Sequence, residues 1–173
     1  KGHAQMNNED LTPISRRRFL SSSGAAVGCL GAIVALAGES PVLPVVDTHQ
    51  HLWDLSKLRL PWLKGAGELN RSFVMKDYLD ATAGLNVVKA VYMEVDVTPE
   101  DKLAEAEYVV GLCQQRDNPT CAAVIGARVA DAGFKDYITR FKGSPWVKGV
   151  RQIIGKAGQC LEEPFVKGVR LLG

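Results

Sequence analysis

Three features of the chain predict an α/β fold on a parallel sheet. There are four apolar strand-like runs, a helix-like segment after each run, and the span 38–173 in which to place them. Strand and helix in strict alternation put each new strand parallel to the last. A complete (β/α)8 TIM barrel takes about 250 residues, so this span reads as the N-terminal half of one, preceded by a signal peptide. A three-layer doubly wound sheet would want a glycine-rich phosphate loop after its first strand, and none is there.

The first strand covers 43–52, an apolar run through Pro44-Val45-Val46-Asp47-Thr48. A loop rich in Trp53, Pro61, Trp62 and Gly65 follows, then a short helix over 74–83. Residues 88–95 are apolar and β-branched, as a strand covered on both faces should be. Thr98-Pro99-Glu100-Asp101 opens the next helix, with a capping hydroxyl, proline at the first position and acids in the first turn. Its stripe reads Leu103, Ala106, Val110, Cys113, and Asn118-Pro119 breaks it. The third strand covers 121–129, and Phe134, Ile138 and Phe141 give the following helix its buried side. The fourth strand covers 146–153 and carries Gly149-Val150-Arg151. The last helix covers 164–172, so the second copy, Gly168-Val169-Arg170, is helical and no repeat.

Two of the three histidines stand at the end of the first strand, in His49-Gln50-His51. Side chains two apart in a strand share a face, so Asp47, His49 and His51 are expected to converge. Two imidazoles and a carboxylate make a metal or acid-base site; the plainer alternative is a surface His-x-His with no task. Glu94, Arg128 and Arg151 fall near the ends of later strands, the rim where barrels carry their catalytic groups. Glu94 is read either as a partner that orients a histidine or, preferred, as a carboxylate paired with Arg128. Arg151 is read as a fork for a substrate carboxylate or hydroxyl, or else as one half of an ion pair. Trp53 and Trp62 flank the mouth, where their faces can stack on a ring or simply pack.

The N-terminal region 1–37 reads as an export signal, with Met6 a candidate true start. Ser15-Arg16-Arg17-Arg18-Phe19-Leu20 is a twin-arginine pattern, and a charge-free stretch over 19–38 follows it. Its apolar heart, 25–37, falls short of the roughly 20 residues of a membrane span, so no stable span is expected after cleavage. Ala35-Leu36-Ala37 fits the small-x-small cleavage rule, which starts the mature chain near Gly38. These features predict an exported protein, periplasmic or otherwise extracytoplasmic, handled by the twin-arginine export machinery. Four of the 21 Lys+Arg and two of the 19 Asp+Glu precede Gly38, so the rest of the chain is formally neutral. No basic patch points to nucleic acid. Past the signal, Cys113, Cys121 and Cys160 have no metal-ligand spacing, and the first two read as core thiols.

Val46-Asp47-Thr48-His49-Gln50-His51-Leu52-Trp53-Asp54, Leu60-Pro61-Trp62-Leu63 and Val147-Lys148-Gly149-Val150-Arg151-Gln152 resemble the amidohydrolase-related family (amidohydrolase 2). The branch they resemble contains sugar-lactone and pyrone-dicarboxylate lactonases, also described as metal-dependent hydrolases of TIM-barrel fold. The resemblance runs from about Pro44 to the end of the chain. It implies a (β/α)8 barrel in which His49 and His51 match the first-strand His-x-His that binds a divalent metal, zinc being the expected one. Some relatives work without metal, using the histidines to polarise the substrate carbonyl. It further implies hydrolysis of a small-molecule lactone or similar ester or amide by water activated at the barrel mouth. In the mechanism assembled from these parts, His49 and His51 are catalytic and Arg151 and Trp53 bind the substrate. The remaining family ligands and the general-base aspartate come from later strands, so the segment alone is expected to be inactive and to be truncated at its C-terminus. The competing expectation is an exported, catalytically inert binding or structural module.

Overall fold

The computed structural model describes residues 42–173. The twin-arginine pattern, its cleavage site and the rest of region 1–37 lie outside the described residues. Within them the chain is mixed α/β, and its single sheet has the order β1-β2-β3-β4 with every neighbouring pair parallel. That is the expected series of β-α units, laid down in sequence order as a barrel requires.

The strands are β1 (Val45–Gln50), β2 (Val87–Met93), β3 (Thr120–Gly126) and β4 (Val147–Arg151). All four are shorter than the apolar runs that announce them, because the flanking residues leave the ladder to form the rim. Between and after them lie α1 (Met75–Ala81), α2 (Lys102–Gln114), α3 (Phe134–Thr139) and α4 (Glu163–Arg170). The Gly168 copy of Gly-Val-Arg is indeed helical. Gly168 is needed there, because a Cβ would stand only 1.8 Å from the Val129 carbonyl oxygen.

Two local expectations fail for physical reasons. The Thr98 hydroxyl makes no capping bond. Pro99–Asp101 forms a 3₁₀ turn instead, and Asp101 is drawn sideways to Arg59 at 2.6 and 2.8 Å. The buried face of α2 is Glu105, Ala106, Val109, Leu112 and Cys113, while Leu103 and Val110 are only half-buried. An acid in the core face hides the true stripe from a reading that counts apolar residues alone.

The core lies between α2 and the sheet face that meets it, with Leu52, Leu58, Leu63, Tyr92, Val109 and Ile125 nearly or fully removed from solvent. Each such side chain contributes about 2 kcal/mol of burial. Phe134 anchors α3, and Ile138 and Phe141 pack partly against the same core. Cys113 is buried, its thiol pushed up to about 11 chiefly by burial, whereas Cys121 is exposed and not a core thiol. Among the described residues no helix is long and apolar enough to cross a membrane.

Candidate functional site

The end of β1 departs from simple alternation. Asp47 stands opposite Ala90 and Gln50 opposite Tyr92, so three residues of β1 run against two of β2. Such a bulge shifts the phase of the side chains beyond it. Asp47 consequently does not converge with the imidazoles. Its Oδ2 accepts the Tyr78 hydroxyl of α1 at 2.9 Å, and its Oδ1 accepts the His49 backbone N–H at 3.0 Å. Burial and the Asp47 carboxylate together push Tyr78 up to about 12. Gln50, on the same side, is buried and accepts the Thr120 hydroxyl at 2.8 Å.

His49 and His51 do come together, with ring centroids 4.8 Å apart and planes 82° from each other. The Nδ1 of His51 lies 2.9 Å from the Met93 carbonyl. A carbonyl only accepts, so Nδ1 carries the proton and donates. Burial lowers the pKa of His51 and outweighs the Met93 bond; the charges of His49 and Arg151 push the same way. The neutral ring therefore carries its lone pair on Nε2. In that tautomer Nε2 can bind a cation or accept a proton, and it cannot donate to a substrate carbonyl. A carbonyl partner on the far nitrogen is also how a metal-binding histidine is ordinarily held. The donor set thus fits zinc or a similar ion as far as it goes. Two imidazoles are one short of the three protein ligands a catalytic zinc takes, and among the described residues no group of three or more His, Cys, Asp or Glu is close enough to hold a metal.

His51 opens into a groove of about 460 Å³ that is walled by Trp53, Trp62, Glu94 and Arg151. Trp53 is fixed by its backbone, which pairs with Phe73 at 2.8 and 2.9 Å, and by its Nε1–H, which donates to the Arg71 carbonyl at 2.6 Å. Trp62 donates its Nε1–H to the Val95 carbonyl at 2.7 Å and meets Trp53 edge to face at 5.7 Å. Trp53 is nearly buried, whereas Trp62 is 41% exposed and offers the freer ring.

Arg151, the last residue of β4, reaches back to β2. Its Nη1 donates to the Glu94 carbonyl at 3.2 Å and lies 3.2 Å from Glu94 Oε1. Glu94 is thus paired with Arg151, and with Lys102 at 4.0 Å, and not with Arg128. Although β3 lies between β2 and β4, Arg151 stands opposite Gly126 in the ladder and reaches across that bare position, and α2 brings Lys102, while Arg128 is exposed beyond the end of β3. Gly126 makes room for this cluster, since a Cβ there would press on Glu94 Oε2, Lys102 Nζ and Glu105 Oε2 at 3.0–3.2 Å.

Sequence reasoning missed Lys102, Glu105 and Tyr92. Glu105 is fully buried on α2, and its Oε1 accepts the Tyr92 hydroxyl at 2.9 Å and the Val95 N–H at 2.7 Å. Burial raises its pKa. The one available signal was an acid standing beside Ala106 on the apolar face of a helix.

No family model matches the chain. Among solved structures it is similar to amidohydrolase 2 from Bifidobacterium longum subsp. infantis, with 26% identity and a TM-score of 0.52 over 75% of this chain and 48% of that one. An amidohydrolase from Burkholderia multivorans with bound Zn gives 19% identity and a TM-score of 0.56 over 73% and 44%. A probable 2-pyrone-4,6-dicarboxylic acid hydrolase from Acinetobacter baumannii with citric acid bound gives 13% and 0.52 over 73% and 45%. The last two likenesses bear on the fold alone. A curated relative, the uncharacterized protein y4mH of Sinorhizobium fredii, is 27% identical over 86 residues, 44% of this chain and 29% of the relative. The chain spans about half the length of the structures it matches and less than a third of the curated relative.

Proposed function

We propose that this chain, similar to amidohydrolase 2, supplies the first half of the site of an exported hydrolase that opens a lactone, a sugar lactone or similar ring ester. The observation that carries this reading is His51, held by the Met93 carbonyl with its Nε2 lone pair free, beside His49 at the head of an aromatic groove. The likeness to amidohydrolase 2 supports the reaction class, and the twin-arginine pattern upstream supports export of the folded protein.

In this reading His49 and His51 hold a divalent ion, zinc for preference, together with ligands from strands beyond β4. That ion supplies Lewis acidity toward the ester carbonyl when bound. The chain's own residues do the rest of what this half contributes. Trp53 and Trp62 wall the groove, exclude water from one side and offer a face to a ring. Arg151 keeps Nη1 on Glu94, which leaves Nε and Nη2 to bind a substrate carboxylate or hydroxyl as a fork.

The test is a panel of sugar and aromatic lactones offered to the full-length protein, with and without a chelator. Ring opening of at least one member that is abolished by chelation and restored by zinc is the expected result. No turnover anywhere on the panel sinks the lactonase reading. Turnover indifferent to chelator removes the metal and leaves the lactonase.

A further inference from the structure

We propose that Glu105, a buried acid of α2 outside the groove wall, is a positioning residue that sets both aromatic sides of the groove; the inference rests on the hydrolase reading above. A carboxylate at a core position is costly to bury, and an aliphatic side chain would pack there without that cost. What Glu105 holds is therefore informative. Its Oε1 takes the Val95 N–H at 2.7 Å, and the carbonyl of the same residue takes the Trp62 Nε1–H at 2.7 Å. Its second donor is the Tyr92 hydroxyl, whose single proton is shared between Glu105 at 2.9 Å and, as the longer limb, the Leu52 carbonyl at 3.2 Å, between His51 and Trp53. One carboxylate oxygen thus governs two arms, Val95 to Trp62 and Tyr92 to the His51-Leu52-Trp53 segment.

The turn between the arms needs holding. Asp96 has φ +53, a left-handed conformation that a residue with a side chain rarely takes unless its surroundings impose it. Its N–H is taken by Glu94 Oε2 at 2.9 Å, and the preceding N–H, that of Val95, by Glu105. Two buried acids thus secure two successive peptide groups. Glu94 stands in the groove wall and Glu105 braces it from behind.

The experiment labels the full-length protein with 5-fluorotryptophan and follows its fluorine resonances by NMR. Resonances are assigned by Trp53→Phe, Trp62→Phe and Trp146→Phe, and KM and kcat are measured on the best lactone. Glu105→Asp keeps the charge but shortens the arm by one methylene. It is expected to move the Trp53 and Trp62 resonances, leave Trp146 in place and raise KM about tenfold with a smaller change in kcat. Glu105→Gln keeps an acceptor at the same reach and restores both resonances. Tyr92→Phe cuts one arm and moves Trp53 alone, which keeps the proposal open to refutation should Glu105→Asp fail to fold. A folded Glu105→Asp with both resonances at their wild-type positions overturns the inference, as does an unmoved Trp53 in Tyr92→Phe. Absence of lactone turnover in the wild type overturns only the lactonase reading, because the fluorine signals need no substrate.

Discussion

The ends of β1 and β2 stand side by side and treat their polar groups in opposite ways. His49 and His51, at the end of β1, are exposed, and among the described residues their two rings together form one hydrogen bond, His51 to Met93. Glu94 and Glu105, beside β2, are 1% and 0% exposed and hold backbone amides, a tyrosine and two cations. The contrast separates reactivity from support. A lone pair left free on an exposed ring can act on a ligand, whereas a carboxylate spent on the fold steadies the wall beside it.

The strongest way to break that contrast is His51→Ala in the full-length protein. If β1 carries chemistry and little support, lactone turnover falls about a thousandfold, roughly 4 kcal/mol of transition-state stabilisation. The urea midpoint should then shift by no more than about 1 kcal/mol of stability, the worth of one hydrogen bond. A large loss of stability would put His51 among the supports.

Glu94→Ala tests the other side. Removing one partner of a buried ion pair costs about 3–5 kcal/mol. Arg151 is 38% exposed and can turn to water, so about 3 kcal/mol is expected from the denaturation curve. A loss under about 1 kcal/mol would show that Arg151 and Lys102 are content without it and would dissolve the distinction.

The same contrast marks what was legible in the sequence. The exposed pair was visible because His-x-His is a short-range pattern, and a strand end keeps such residues together whatever happens further along. The order of strands and helices was visible for a similar reason, since each element shows its own period. Asp47 was misplaced because a bulge depends on the partner strand and leaves no mark in the run of β1. Glu94 was matched to Arg128 and not to Arg151 because β3 separates β2 from β4, and only the bare Gly126 opposite Arg151 lets that side chain reach across. Glu105 was invisible in a different way. Reading a helix by its apolar positions treats every acid as solvent-facing, and this one faces the core.

A third ion pair, on the rim and away from both strand ends, sharpens the scale at its low end. Asp101 accepts Arg59 Nε at 2.8 Å and Nη2 at 2.6 Å, which ties the first loop to the start of α2. That guanidinium holds the carboxyl at about 2, down from 3.8. A depressed folded pKa stabilises above the unfolded value, and the gain is lost as pH falls through the folded one. The stability gap between wild type and Asp101→Asn should therefore be full above pH 3.8 and close as pH falls toward about 2. Arg59 is 63% exposed, so water screens the pair and the full gap should stay below about 1 kcal/mol. Urea midpoints at neutral and acid pH read it directly. A gap that persists unchanged to pH 2 would mean that Asp101 acts through the backbone N–H of Arg59, which it also accepts at 2.8 Å, and not through the charge. Should the gap match that of Glu94→Ala, burial would no longer be what separates the two carboxylates.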